Sequence, residues 1–145
     1  MEKMRHHDFV CGLPPGWFDV STVVLVGPAE GDFSPNIAIT REPLPAPVSA
    51  EQYAADQLAQ LKESLGEQDY RVLQEGKITV GEQPAFQRFH VFRMPDVGVQ
   101  VKQWQVYVIG RRGAVTLTCS DKVETFDRSF RTFQEAVNQF RFDPA

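Results

Sequence analysis

Two stretches of alternating apolar and polar positions dominate the pattern of this chain. Val99 to Ile109 and Ala114 to Ser120 each carry the period of a strand with two distinct faces. Gly110, Arg111, Arg112 and Gly113 lie between them and predict a tight hairpin turn. Pairing Gly110 with Gly113 and counting outward puts Trp104, Val106, Val108, Val115, Leu117 and Cys119 on one face. That set is an ordinary core. The other face gathers Gln103, Gln105, Tyr107, Ile109, Ala114, Thr116 and Thr118. It is apolar at one end and lined with uncharged hydrogen-bonding groups at the other, as expected of a surface made to be covered.

The remaining pattern supplies more strands and two helices. Asp8–Leu13, Thr22–Val26 and Asn36–Arg41 read as strands, with Val23 to Val26 apolar on both faces. Pro43, Pro45 and Pro47 form an extended connector that cannot join a sheet interior. Ser49 and Gln52 read as a capping box opening a helix that Gly66 stops near Leu65, with a stripe of Ala54, Leu58, Leu61 and Leu65. Strands follow at Tyr70–Val80 and Ala85–Arg93, with turns at 81–84 and 94–98. Register across the second turn is open: either Phe89 and Val91, or Phe86 and Phe92, join Trp104 on the core face. A second helix carries Phe126, Phe130, Phe133 and Val137, and Phe140–Asp143 reads as a short closing strand.

No β-α-β alternation is present, so the expected fold is one α+β domain over residues 1–145. It is a single antiparallel β-sheet of about seven strands with two helices on one face. Residues 1–7, polar and including His6 and His7, are expected to be disordered or foreign to the natural chain. Two helices on one side cannot roof both faces, yet several strands are apolar on both. Exposed apolar patches beyond a few hundred Å² usually mark partner sites. Val24, Ile37 and Ile39 are expected beside Tyr107 and Ile109 on the uncovered face.

Composition narrows the function classes. A net charge of −4 offers no footprint for nucleic acid or an anionic membrane surface. No apolar run approaches the ~18 residues of a spanning helix, and neither a signal region nor a lipoprotein-type cysteine is seen. A cytoplasmic chain with reduced Cys11 and Cys119, not inserting in a membrane, is expected. The catalytic inventory is thin. His90 lies mid-strand without a sequence-evident partner and reads as structural, Ser21 and Ser34 have no nucleophile-elbow context, and metal-ligand spacing and a phosphate-cradling loop are missing. The expectation is a non-enzyme without cofactors. Arg111 and Arg112 read as a soluble turn that discourages edge pairing.

Two stretches carry a resemblance. Leu13-Pro14-Pro15-Gly16-Trp17 followed by Asp19 resembles the Leu-Pro-x-Gly-Trp-x-Asp start of the DcrB-like, PsbP-like α+β superfamily. Thr118 and Cys119 before an acidic, Phe-rich helix, and then Phe140-Arg141-Phe142, resemble its end. The Gly81 to Ala85 turn and the strand with Gln103 and Gln105 are similar to its cytosolic branch, the Eag chaperones of type VI secretion effectors. The resemblance implies a homodimer whose sheet holds the apolar N-terminal helices of an effector before it is loaded onto the secretion spike. The implied client surface is Val24, Ile37, Ile39, Gln103, Gln105, Tyr107, Ile109, Thr116 and Thr118. The alternative is a small-ligand or lipid-binding module using the same face as a monomer's pocket.

Overall fold

The computed structural model describes residues 1–29, 31–66, 69–94 and 98–143. Its strands are β1 (Glu2–His6), β2 (Phe9–Leu13), β3 (Val23–Val26), β4 (Asn36–Glu42), β5 (Tyr70–Val80), β6 (Gln83–Arg93), β7 (Gln100–Gly110) and β8 (Gly113–Lys122). Its helices are α1 (Ala50–Leu65) and α2 (Phe126–Asn138). β1 and β2 form a separate hairpin, and the other six strands form one antiparallel sheet ordered β3-β4-β8-β7-β6-β5. The α+β, antiparallel expectation is met. Residues 2–6, expected to lie outside the fold, are β1. Phe140 and Phe142 pack on the core without forming the expected closing strand. Positions 95–97 of the second predicted turn, and residues 144–145, lie outside the described residues.

Hairpin registers follow from their turns. Gly110 pairs with Gly113 and Trp104 with Cys119, as counting from the turn requires. Gly113 has φ +124, and a Cβ there would lie 2.2 Å from the Glu42 carbonyl. Only glycine lets the β4–α1 connector pass so close to the hairpin tip. In β6, Phe89 pairs with Trp104 and Val91 with Lys102, which places Phe86 and Phe92 on the opposite face.

The helices divide between the faces, which corrects the expectation of both on one side. α2 closes the face of Trp104, Val106, Val108, Val115 and Leu117 with Phe126, Phe133 and Val137. α1 lays Ala50, Tyr53 and Ala54 on Phe86, Tyr107 and Ala114 of the other face. The physical reason lies at the sheet centre: neighbours Ala85 and Phe86, and Val106 and Tyr107, bury apolar bulk on opposite sides, so each side needs a roof. α1 covers little. Only its first turn and a half is buried, while Leu58, Leu61 and Leu65 stay half-exposed. Ser49 Oγ accepts from the Gln52 amide at 3.0 Å, and the Gly66 N–H bonds the Lys62 carbonyl. Gln52 turns its own amide to Asp56, so the capping box is made in one direction only.

Candidate functional site

The α1 face of the sheet carries two rows of directed hydrogen bonds across β5, β6, β7 and β8. In the first, the Tyr70 hydroxyl meets His90 Nδ1 at 2.8 Å, His90 Nε2 meets Gln103 Oε1 at 2.7 Å, and Gln103 Nε2 donates to Ser120 Oγ at 2.9 Å. Because the Gln103 amide nitrogen is committed to Ser120, its oxygen must accept from His90, so Nε2 carries the imidazole proton and Nδ1 accepts from tyrosine. In the second row, Arg88 donates from Nε to Glu75 at 2.9 Å and from its two terminal nitrogens to the Tyr107 hydroxyl and the Ala54 carbonyl, each at 2.9 Å. Tyr107 donates to Gln105 Oε1, and Gln105 Nε2 donates to Thr118 Oγ1 at 3.3 Å. Both rows end on a hydroxyl of β8.

Sheet irregularity builds the first row. Pairing between β5 and β6 slips between Val72 and Gln74, so the half-exposed Leu73 is an extra residue. Without this bulge Tyr70 would sit opposite Arg93 and face away from His90. With it, Tyr70 opposes Phe92 and reaches the imidazole. Burial drives the titration behaviour. His90 is fully buried, and desolvation pushes its pKa down to about 4, against the raising effect of Gln103 and aided by nearby Arg88. Desolvation pushes Tyr107 up to about 12 and raises Tyr70 further still. Tyr53, held near Glu42 and Thr116, is likewise pushed up to about 12, chiefly by desolvation. Each of these groups stays neutral near pH 7.

From the edge of α1, where Tyr53 meets Thr116 and Glu42, the same face opens. Thr116 and Thr118 of β8 pair with Thr40 and Ala38 of β4, and Ala38 pairs with Val24 of β3. Thr116, Thr118, Asn36 and Ala38 are half-buried, Thr40 is exposed, and Val24 and Val26 are 56% and 66% exposed. Glu42, opposite Ala114, and Lys122, opposite Val101, bound this band at its two ends. Between them the described band holds small, hydroxylated, amide and aliphatic side chains and no charge.

The predicted surface is partly assembled. Val24, Gln103, Thr116 and Thr118 lie on or beside the open band. Tyr107 (1% exposed) and Gln105 (9%) are on the same face but sealed beneath α1 or tied into the second row, and Ile109 packs with the α1 cluster. Ile37 and Ile39 belong to the other face: they oppose Cys119 and Leu117 and pack in the α2 core. The β4–β8 register decides this, because Ala38 and Thr40 pair with the even positions of β8. Sequence reasoning missed Ala38, Thr40, Arg88, Glu75 and Tyr70. The turn at Gly81 and Glu82 would have aligned Glu75 with Arg88 by counting outward, but nothing in the sequence announces the bulge at Leu73.

A family model described as DcrB matches residues 11–139. PA94 from Pseudomonas aeruginosa, a protein of unknown function described as a candidate regulator, shares the fold with a TM-score of 0.83 at 18% identity, over 100% of this chain and 99% of that one. LpqN of Mycobacterium tuberculosis, involved in cell envelope biogenesis, matches with a TM-score of 0.60 at 11% identity, over 83% of each chain. No curated protein matches the sequence. Among the described residues no helix is long and apolar enough to cross a membrane.

Proposed function

The chain belongs to the DcrB family, and from that premise we propose that it is a non-catalytic chaperone that binds apolar helices of a secreted client. Following the resemblance to the Eag branch, the client is the N-terminal membrane-spanning segment of a type VI secretion effector. Shielding takes place in the cytoplasm, by a homodimer, before the effector is loaded on the secretion spike.

The observation that carries this reading is the open band. A client helix of ~20 apolar residues aggregates in water, and burying its surface gains about 25 cal/mol per Å². A wholly apolar receptor would hold any greasy sequence. A floor of Thr116, Thr118, Thr40 and Ala38 between Gln103 and the aliphatic Val24 and Val26 favours helices rich in Gly, Ala and Ser. Packed membrane helices use the same small and hydrogen-bonding contacts. Thr118 accepts from Gln105, so its own proton remains a donor for a client carbonyl.

Co-expression with a pair of such helices fused to a soluble reporter tests the reading. The natural chain should keep the fusion in the soluble fraction, and Ala38→Arg should abolish this while leaving the circular dichroism unchanged. A fusion that precipitates equally with and without the chain overturns the proposal. So does a monomer purified with lipid in place of the client.

A further inference from the structure

The two edges of the six-stranded sheet are treated very differently. β5 is guarded: it carries Arg71, Glu75 and Lys77 and is bent by the bulge at Leu73, all devices that deter edge pairing. β3 is bare. Its four residues are Val23, Val24, Leu25 and Val26, exposed by 40%, 56%, 51% and 66%, with no charge or proline within the strand. The segment leading into it adds Trp17, Phe18 and Val20, exposed by 71%, 67% and 61%. Together these side chains expose on the order of 700 Å², against the ~800 Å² that each partner contributes to a standard interface.

The free edge can be read atom by atom. The Gly27 N–H donates to the Pro35 carbonyl at 2.8 Å, and Gly27 stands opposite Pro35 in the β3–β4 register. Hydrogen-bonded pairs alternate along an antiparallel ladder, so Val23 and Leu25 also turn their backbone groups toward β4. Val24 and Val26 therefore present N–H and C=O outward, where among the described residues no strand meets them.

We propose that β3 pairs antiparallel with β3 of a second copy about a two-fold axis at Leu25, making one twelve-stranded sheet. In that register Val24 exchanges both its backbone bonds with Val26 of the other copy, and Val26 with its Val24. Leu25 meets its own counterpart in the closer, non-hydrogen-bonded pair. An axis perpendicular to the sheet keeps each face on its own side, so the two uncharged bands of Thr116, Thr118, Ala38 and Val24 become one floor running through the seam. The seam names the dimer surface for the homodimer of the chaperone reading, but it stands on the bare edge alone and is tested without a client.

Sedimentation of the purified chain should show a dimer. Val24→Pro removes an outward N–H that β4 does not use, so the fold survives while the dimer dissociation constant rises about 30-fold. In a Cys11→Ser background, Leu25→Cys should form an intermolecular disulfide under mild oxidation, since that pair brings the Cβ atoms within bridging range. A monomer overturns the proposal, including one that dimerises only when an extended client peptide is added. A dimer indifferent to Val24→Pro, or one in which Leu25→Cys stays reduced, equally rejects this interface. Failure of client solubilisation with the dimer and cross-link intact would remove the chaperone reading and leave the seam standing.

Discussion

The two faces of one sheet solve the problem of burial in opposite ways. On the α2 side, Phe89, Trp104, Phe126, Phe130 and Phe133 pack ring on ring, with Phe89 and Trp104 stacked at 5.8 Å and Trp104 meeting Phe130 edge-on at 5.1 Å. Lys102 sits over Phe126 at 4.7 Å and keeps its charge on an aromatic face. The stability of that side comes mainly from close apolar packing. One buried carboxylate, Asp121, is matched there by the Thr125 and Ser129 hydroxyls at the start of α2. The α1 side buries Arg88, His90 and Gln105, and is stable only because each polar group is matched. No buried side-chain polar atom is left unpaired among the described residues. The contrast bears on how the α1 face opens, while on the α2 face only Val23 and Leu25 of the edge strand stay 40% and 51% exposed. Aromatic packing tolerates no gap, whereas a row of hydrogen bonds can end on a hydroxyl and leave the next two strands for a guest.

The largest expected effect comes from breaking the α2 side. Phe133 is 3% exposed and touches Phe126 and the core, so Phe133→Ala should cost about 3–5 kcal/mol, the transfer loss plus a cavity. Thermal unfolding should shift down by about 10 °C or more. A loss under about 1 kcal/mol would mean that α2 is not the packed roof described here.

Acid should act on the other side. His90 has a folded pKa of about 4 against 6.5 in the open chain, so between these values the unfolded state binds more protons. Stability is full above pH 6.5, falls as pH drops toward 4, and loses nothing further from this group below that. The span is on the order of 3 kcal/mol. Denaturant titrations at pH 7, 5.5 and 4 would measure it. His90→Gln can keep the bonds to Tyr70 and Gln103 but cannot titrate, so its profile should flatten over that window. An unchanged slope would assign the acid sensitivity to other groups.

Within the same face, Arg88 ties α1 to the sheet through Ala54 and Tyr107. Arg88→Met should cost about 2 kcal/mol, because the buried Tyr107 hydroxyl and the Ala54 carbonyl each lose a donor. Glu75→Gln should cost under about 1 kcal/mol, since the glutamate side chain is 38% exposed and the pair is partly screened. Equal losses for the two variants would show that the ion pair, and not the anchoring of α1, is what Arg88 contributes.

Legibility in the sequence followed the range of the interaction. The β7–β8 faces were readable because two glycines fixed a turn and period-two alternation did the rest. The helix ends at Ser49 and Gly66 were equally local. What escaped was long-range: the pairing of β4 with β8, remote in sequence, which sent Ile37 and Ile39 to the α2 core and offered Ala38 and Thr40 in their place. The helix placement escaped for the same reason. Alternation tells which residues share a face, and it does not tell which helix crosses to which side. His90 looked solitary because its partner Tyr70 sits across a hairpin whose bulge changes the count.

The smallest expected effect discriminates most sharply between a face built for stability and one left for a guest. Thr40 is exposed, lies opposite Thr116, and belongs to neither hydrogen-bond row. If the band is a receptor surface, Thr40→Lys should change unfolding free energy by no more than about 0.5 kcal/mol, as surface substitutions do. The same charge placed mid-floor must be desolvated whenever an apolar helix lies on it, so client binding should weaken by tenfold or more. Calorimetry and a solubilisation assay on the same preparation separate the two quantities. A lysine that destabilises the chain as strongly as Arg88→Met would mean that the band is part of the chain's own packing. One that is silent in both measurements would move the guest elsewhere on the molecule.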